Sequence, residues 1–146
     1  MATALLDLNV LLALAWPNHE HHRTARTWFD ARQSDQWATC PMTQCGFVRI
    51  SSNPKIIVEA VSPQQASTLL QKMMQDSRHV FWEDQISFPD AVFARFPQLR
   101  GHRQVTDAYL LGLCLSRGQQ LATFDQGILS LAVSENERQS VLLIPS

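Results

Sequence analysis

The sequence is poor in the features that would take it outside ordinary globular proteins. Its 146 residues include only three cysteines, Cys40, Cys45 and Cys114. The number is odd, no C-x-x-C pair occurs and no histidine stands at zinc-finger spacing, which argues against a disulfide framework or a structural zinc. Five glycines, seven prolines and no repeat or low-complexity tract argue against fibrous and disordered classes. Every apolar run is interrupted by acidic or polar residues, so no membrane span is expected. The opening "MATALLDLNV" lacks the basic region and cleavage site of a secretory leader. A cytoplasmic protein with reduced, partly buried thiols is the expectation. A formal charge of −1 gives no general attraction to polyanions, so a nucleic-acid partner would need a local basic patch or a bound metal ion. Phosphate-loop and G-x-S-x-G signatures are missing as well.

What is present is a chain of 45% apolar residues, about one domain long, read as a single domain over 1–146. "TALLD" (3–7), "WATC" (37–40), "HVFWED" (79–84), "QLATFD" (120–125) and "SVLLI" (140–144) read as short strands. Between them lie helical segments. "NVLLALAW" (9–16) is apolar on most sides and stops at Pro17, and residues 21–33 place Ala25, Trp28 and Phe29 on one face. Residues 42–52 form a helix closed by the "SNP" turn, and Ser62 and Pro63 open another, as N-cap and first helical residue. "DAVFARF" (90–96) predicts a short helix and "RGHRQ" (100–104) a polar loop. In "VTDAYLLGLCLSRG" (105–118) Thr106 is the expected cap and Gly118 the terminator. Alternating strands and helices predict an α/β fold, a parallel sheet of four to five strands with helices on both faces.

Asp7 and Asp125 each follow an apolar strand directly, and Asp107 opens the helix leading into the second of those strands. Ligands of open parallel sheets sit beyond the carboxyl ends of the strands, where strand order reverses. Three carboxylates meeting there would raise one another's pKa unless a hard divalent cation, Mg²⁺ or Mn²⁺, neutralised them. Asn9, Thr106 and Thr123 are placed to orient such ligands or a bound water. Each acid also has an ordinary explanation. Asp107 suits a helix N-terminus, and Asp125 suits a turn. "NHEHH" (18–22) puts His19 and His22 at i, i+3, but Arg23 stands where H-E-x-x-H requires its second histidine, and a polar helix start is the simpler reading. Leu69, Leu70, Met73 and Met74 suit a core face, or an apolar surface for a partner.

Four segments, "LLDLNVLLAL", "MTQCGFVRISSNP", "VTDAYLLGLC" and "LATFDQGI", together resemble PIN-domain ribonucleases, specifically the VapC-type toxins of bacterial toxin–antitoxin pairs. The resemblance spans nearly the whole chain. It implies an α/β/α sandwich, a Mg²⁺- or Mn²⁺-dependent endoribonuclease acting on an RNA substrate, a homodimer, and inhibition by a small VapB-like antitoxin that also binds DNA. The family's acids carry over onto Asp7, Asp107 and Asp125. Where its T-E-x-x-x-x-R pattern has glutamate, this chain has Gln44 in "TQCGFVR", a neutral isostere that cannot act as a base. Gln44 therefore predicts a weakened metal site, and it motivates an alternative, an impaired domain that binds antitoxin or RNA without cutting. Glu83 and Asp84 are distant candidates to replace the missing acid. Arg49, His102 and Arg103 are candidates for gripping RNA phosphates, beside their plainer role as solvated surface charge.

Overall fold

A computed structural model of the chain describes residues 2–146. Five parallel strands form one sheet: β1 (Thr3–Leu6), β2 (Gln36–Thr39), β3 (His79–Phe81), β4 (Gln120–Thr123) and β5 (Val141–Leu143). Their order is β3-β2-β1-β4-β5. The chain starts at the centre, moves outward through β2 and β3, then returns to lay β4 against the other side of β1. Strand order thus reverses between β1 and β4, the position at which a crevice opens at the carboxyl ends.

The period-two alternation of side chains divides the core between the two faces of the sheet. On one face Ala4, Leu6, Trp37 and Ala122 meet α1 (Leu8–Ala15), α2 (His22–Asp30), α3 (Pro41–Ser51) and α4 (Pro63–Met74). On the other, Leu5, Ala38 and Leu121 meet Val92 and Phe96, which flank α5 (Phe93–Arg95), together with α6 (Val105–Ser116) and the turn at 126–130. Helix α6 is buried from Ala108 to Cys114, as an almost wholly apolar sequence requires. The expected three-layer α/β/α arrangement is therefore found. Among the described residues no helix is long and apolar enough to cross a membrane.

Local chemistry sets the element ends. The Ser62 hydroxyl accepts from the Gln65 N–H while the Gln65 side chain accepts from the Ser62 N–H, a reciprocal cap that starts α4. Gly118 ends the α6 turn at φ +64, where a side chain would be strained. Four expectations need correction. Thr106 is not a cap: Gln104 precedes α6, because a 3-10 turn over His102–Gln104 extends the helix backward through the expected loop. The "DAVFARF" helix begins earlier, as a wide helical turn over Phe88–Val92. Helix α2 starts at His22 with His21 before it, so His19 and His22 do not share a helical face. A further helix, α7 (Glu135–Gln139), was not expected, although Ser134 and Glu137 form a capping box there. Cys40 and Cys114 are buried and Cys45 is exposed, and none forms a disulfide.

Candidate active site

Asp7 is the first residue beyond β1 and the N-cap of α1. Its backbone N–H donates to Ala122 O (2.9 Å), which joins the strand end to β4. Its carboxylate, 7% exposed, accepts from the Leu8 N–H at 2.7 Å and from the Thr123 hydroxyl at 2.7 Å. The Thr123 oxygen in turn accepts from the Asp125 N–H at 3.0 Å and from the Asn9 amide at 3.4 Å. Asn9 Oδ1 completes the ring by accepting from the Phe124 N–H at 3.5 Å. One fully buried hydroxyl thus holds the ends of β1 and β4 in mutual register.

Asp107 projects from the first turn of α6, and Asp125, exposed, caps the turn after β4 by accepting from the Gly127 N–H at 2.8 Å. Electrostatics ties the three acids together. Burial, then the charges of Asp7 and Asp125, push Asp107 up to about 7. Asp7 is raised by burial and by Asp125, against the lowering effect of its bonds to Thr123 and Leu8. Asp76, by contrast, is drawn down to about 2, chiefly by its hydrogen bonds from Arg78. Among the described residues none of the three acids has an ion-pair partner. They stand within electrostatic reach of one another, but no three His, Cys, Asp or Glu side chains there form a ready-made metal cage.

The sign of the resulting pH dependence follows. Near pH 5–7 folded Asp107 keeps a proton that the unfolded chain has released, so the folded state binds more protons and loses stability as pH rises. The loss accumulates from about pH 4 to about pH 7 and levels off above. In EDTA, the thermal midpoint of the protein relative to its Asp107→Asn variant is expected to fall between pH 5 and pH 8. Parallel midpoint curves for the two proteins would contradict this account.

Of the other candidate residues, Thr123 bonds Asp7 directly, and Asn9 reaches the acids only through Thr123. Thr106 is exposed and lines a neighbouring cleft together with Arg49. His102 and Arg103 are exposed on the turn before α6. Gln44 donates to Thr39 Oγ1 at 3.0 Å and approaches Met74 Sδ at 3.7 Å. It is turned toward α4 and makes no hydrogen bond to the acids. The histidine run is not a metal site either: His22 Nδ1 lies 2.7 Å from Ala13 O, and the His21 ring stacks on Phe124 with centroids 4.9 Å apart. That stacking joins the histidine run to Phe124 at the end of β4, a pairing that no spacing rule could have revealed.

Comparison with known proteins bears on the family and the fold. The family described as PIN domain matches residues 4–133. The chain is 46% identical to Ribonuclease VapC38 of Mycobacterium tuberculosis over 129 residues, 88% of this chain and 89% of the relative. It is 41% identical to Ribonuclease VapC39 of the same organism over 130 residues, 89% and 94% of the two chains. Among solved structures, VapBC2 from Rickettsia felis bound to a DNA fragment from its promoter has a TM-score of 0.64 at 10% identity, covering 92% of this chain and 94% of that one. FitAB bound to the IR36 DNA fragment has a TM-score of 0.56 at 16% identity, covering 96% and 94%. At such identities these two structures show a shared fold.

Proposed function

The chain belongs to the PIN-domain family, and from that premise we propose that it is a divalent-metal-dependent endoribonuclease, the toxin of a toxin–antitoxin pair. What supports this reading is the mutual charge effect among Asp7, Asp107 and Asp125, which stand beyond β1, at the start of α6 and beyond β4 with no ion-pair partner among the described residues. Uncompensated carboxylate oxygens at the mouth of a crevice are the donor set that Mg²⁺ or Mn²⁺ prefers, and Asp7, Asp107 and Asp125 would hold the ion. When bound, such an ion lowers the pKa of a water and offsets charge developing on phosphoryl oxygens.

The chain's own residues set up the rest. Thr123 and Leu8 fix both oxygens of Asp7, so the carboxylate is oriented before any ligand arrives. Asn9 ties the helix start to Phe124, beside Asp125. Arg49, His102 and Arg103 supply exposed donors for RNA phosphates. Attack by water instead of the ribose 2′-hydroxyl leaves 5′-phosphate and 3′-hydroxyl ends. The names of the 39–46% identical relatives, each a Ribonuclease VapC, support the activity. The VapBC neighbour supports control by a small VapB-like antitoxin, and a cytoplasmic homodimer completes the proposal.

The test is cleavage of structured RNA by purified protein in Mg²⁺ or Mn²⁺, against EDTA. Metal-dependent cuts with 5′-phosphate ends are expected, and intact RNA under every metal condition would end the ribonuclease reading. The competing reading, an inert antitoxin- or RNA-binding module, rests on Gln44. Because that side chain bonds to Thr39 and not to the acids, Gln44→Glu is expected to change kcat/KM by no more than about threefold, under 1 kcal/mol. Activity confined to Gln44→Glu would favour the binding module instead.

A further inference from the structure

Beside the acids lies a cleft of about 550 Å³ that the metal chemistry leaves unused. Leu8 and Thr106, the immediate neighbours of Asp7 and Asp107, line it together with Met42, Leu110, Arg49 and Asp84. Its walls are mainly apolar, its size is that of a small-molecule subsite, and only a few polar groups converge on it. Asp84 is the anomaly. A carboxylate beside the path of a polyanion repels phosphate, so a useful role for it must involve hydrogen-bond donors. Its Oδ1 accepts from the Tyr109 hydroxyl at 2.7 Å, and the Tyr109 ring is buried in α6. The carboxylate is therefore held from a rigid element only two residues from Asp107. Oδ2 makes no hydrogen bond and Arg49 no ion pair among the described residues. Nor does Asp84 belong to the acid group, since the charge that raises Asp7 is that of Asp125, and those that raise Asp107 are Asp7 and Asp125, not Asp84.

We propose that this cleft is a nucleobase subsite in which Asp84, positioned by Tyr109, reads guanine next to the scissile phosphate. Single-stranded RNA is recognised by splaying bases into apolar pockets and bonding their Watson–Crick edges. Guanine alone among the four bases presents two adjacent donors there, N1–H and the N2 amine, which match the two oxygens of a carboxylate. Leu8 and Met42 cover the base faces, and Arg49 is left for the backbone phosphate. The inference rests on the ribonuclease reading for the location of the scissile phosphate, but binding tests it independently of cleavage.

The probes are fluorescein-labelled hexauridylates carrying one guanosine, inosine or adenosine at each position in turn, titrated by anisotropy in EDTA. Inosine lacks the N2 amine. Guanosine is expected to bind about tenfold more tightly than inosine at one position. Asp84→Asn is expected to erase that preference and Tyr109→Phe to reduce it, with Mn²⁺ affinity by calorimetry unchanged in both. Equal affinity for guanosine and inosine, no binding of any hexamer, or a guanine preference intact in Asp84→Asn would each overturn the proposal. So would a tenfold loss of Mn²⁺ affinity in Asp84→Asn, which would make Asp84 a metal ligand. A guanine preference in a protein that cuts no RNA in Mn²⁺ would sink the ribonuclease reading and leave the subsite standing.

Discussion

Asp7→Asn is expected to lower kcat/KM for RNA by about a thousandfold, on the order of 4 kcal/mol, while making the metal-free protein more heat-stable. The two effects have one origin. The carboxylate is almost fully buried and faces Asp125 and Asp107 without a cation, so in EDTA its charge opposes folding. Asparagine keeps an oxygen to accept from the Leu8 N–H, so the cap of α1 survives. A rise of roughly 2–4 °C in the EDTA midpoint is expected for each kcal/mol of charge strain relieved, and saturating Mn²⁺ should raise the midpoint of wild type only. An Asp7→Asn protein that cuts RNA at the parent rate, or that melts below the parent in EDTA, would contradict the assignment of Asp7.

Thr123→Val is expected to damage both stability and activity. Valine preserves the shape of the side chain but deletes the hydroxyl that serves Asp7, the Asp125 N–H and Asn9 together. A buried carboxylate oxygen then loses its donor, which costs about 1–3 kcal/mol. With the lowering contribution of Thr123 gone, the Asp7 pKa shifts further upward. Loss of this orientation should reduce metal affinity and cleavage by about 10- to 100-fold. Thr123→Ser should restore most of both. The cycle with Asp7→Asn is informative: the two substitutions remove the same bond, so their stability effects should fail to add. Strict additivity in chemical denaturation would mean that the bond is not the link between the strand ends.

The sheet and most helices were legible in the sequence because their signals are local. Apolar quartets ending in Asp7 and Asp125, the Ser62–Pro63 start and the apolar stretch of α6 each specify their element without reference to the rest of the chain. The places of Asp7, Asp107 and Asp125 in the fold were legible for the same reason, since each lies at the end of a strongly patterned segment. At the site, what was not legible is side-chain direction, which depends on packing. Gln44 is one turn into α3, and a helix rotates by 100° per residue. Its neighbour Cys45 lines the cleft beside Thr106, whereas Gln44 faces α4 and Met74. Pairings across long separations, such as Tyr109 with Asp84 or His21 with Phe124, follow no period at all. The α7 start was different: the Ser134–Glu137 capping signature was present in the sequence and could have been used.

The two outermost strands, β3 and β5, are each only three residues long. Margins this short give an approaching strand few free backbone groups on which to template itself. Lateral growth of the sheet from chain to chain is thus disfavoured, and the fold resists joining copies into a continuous sheet.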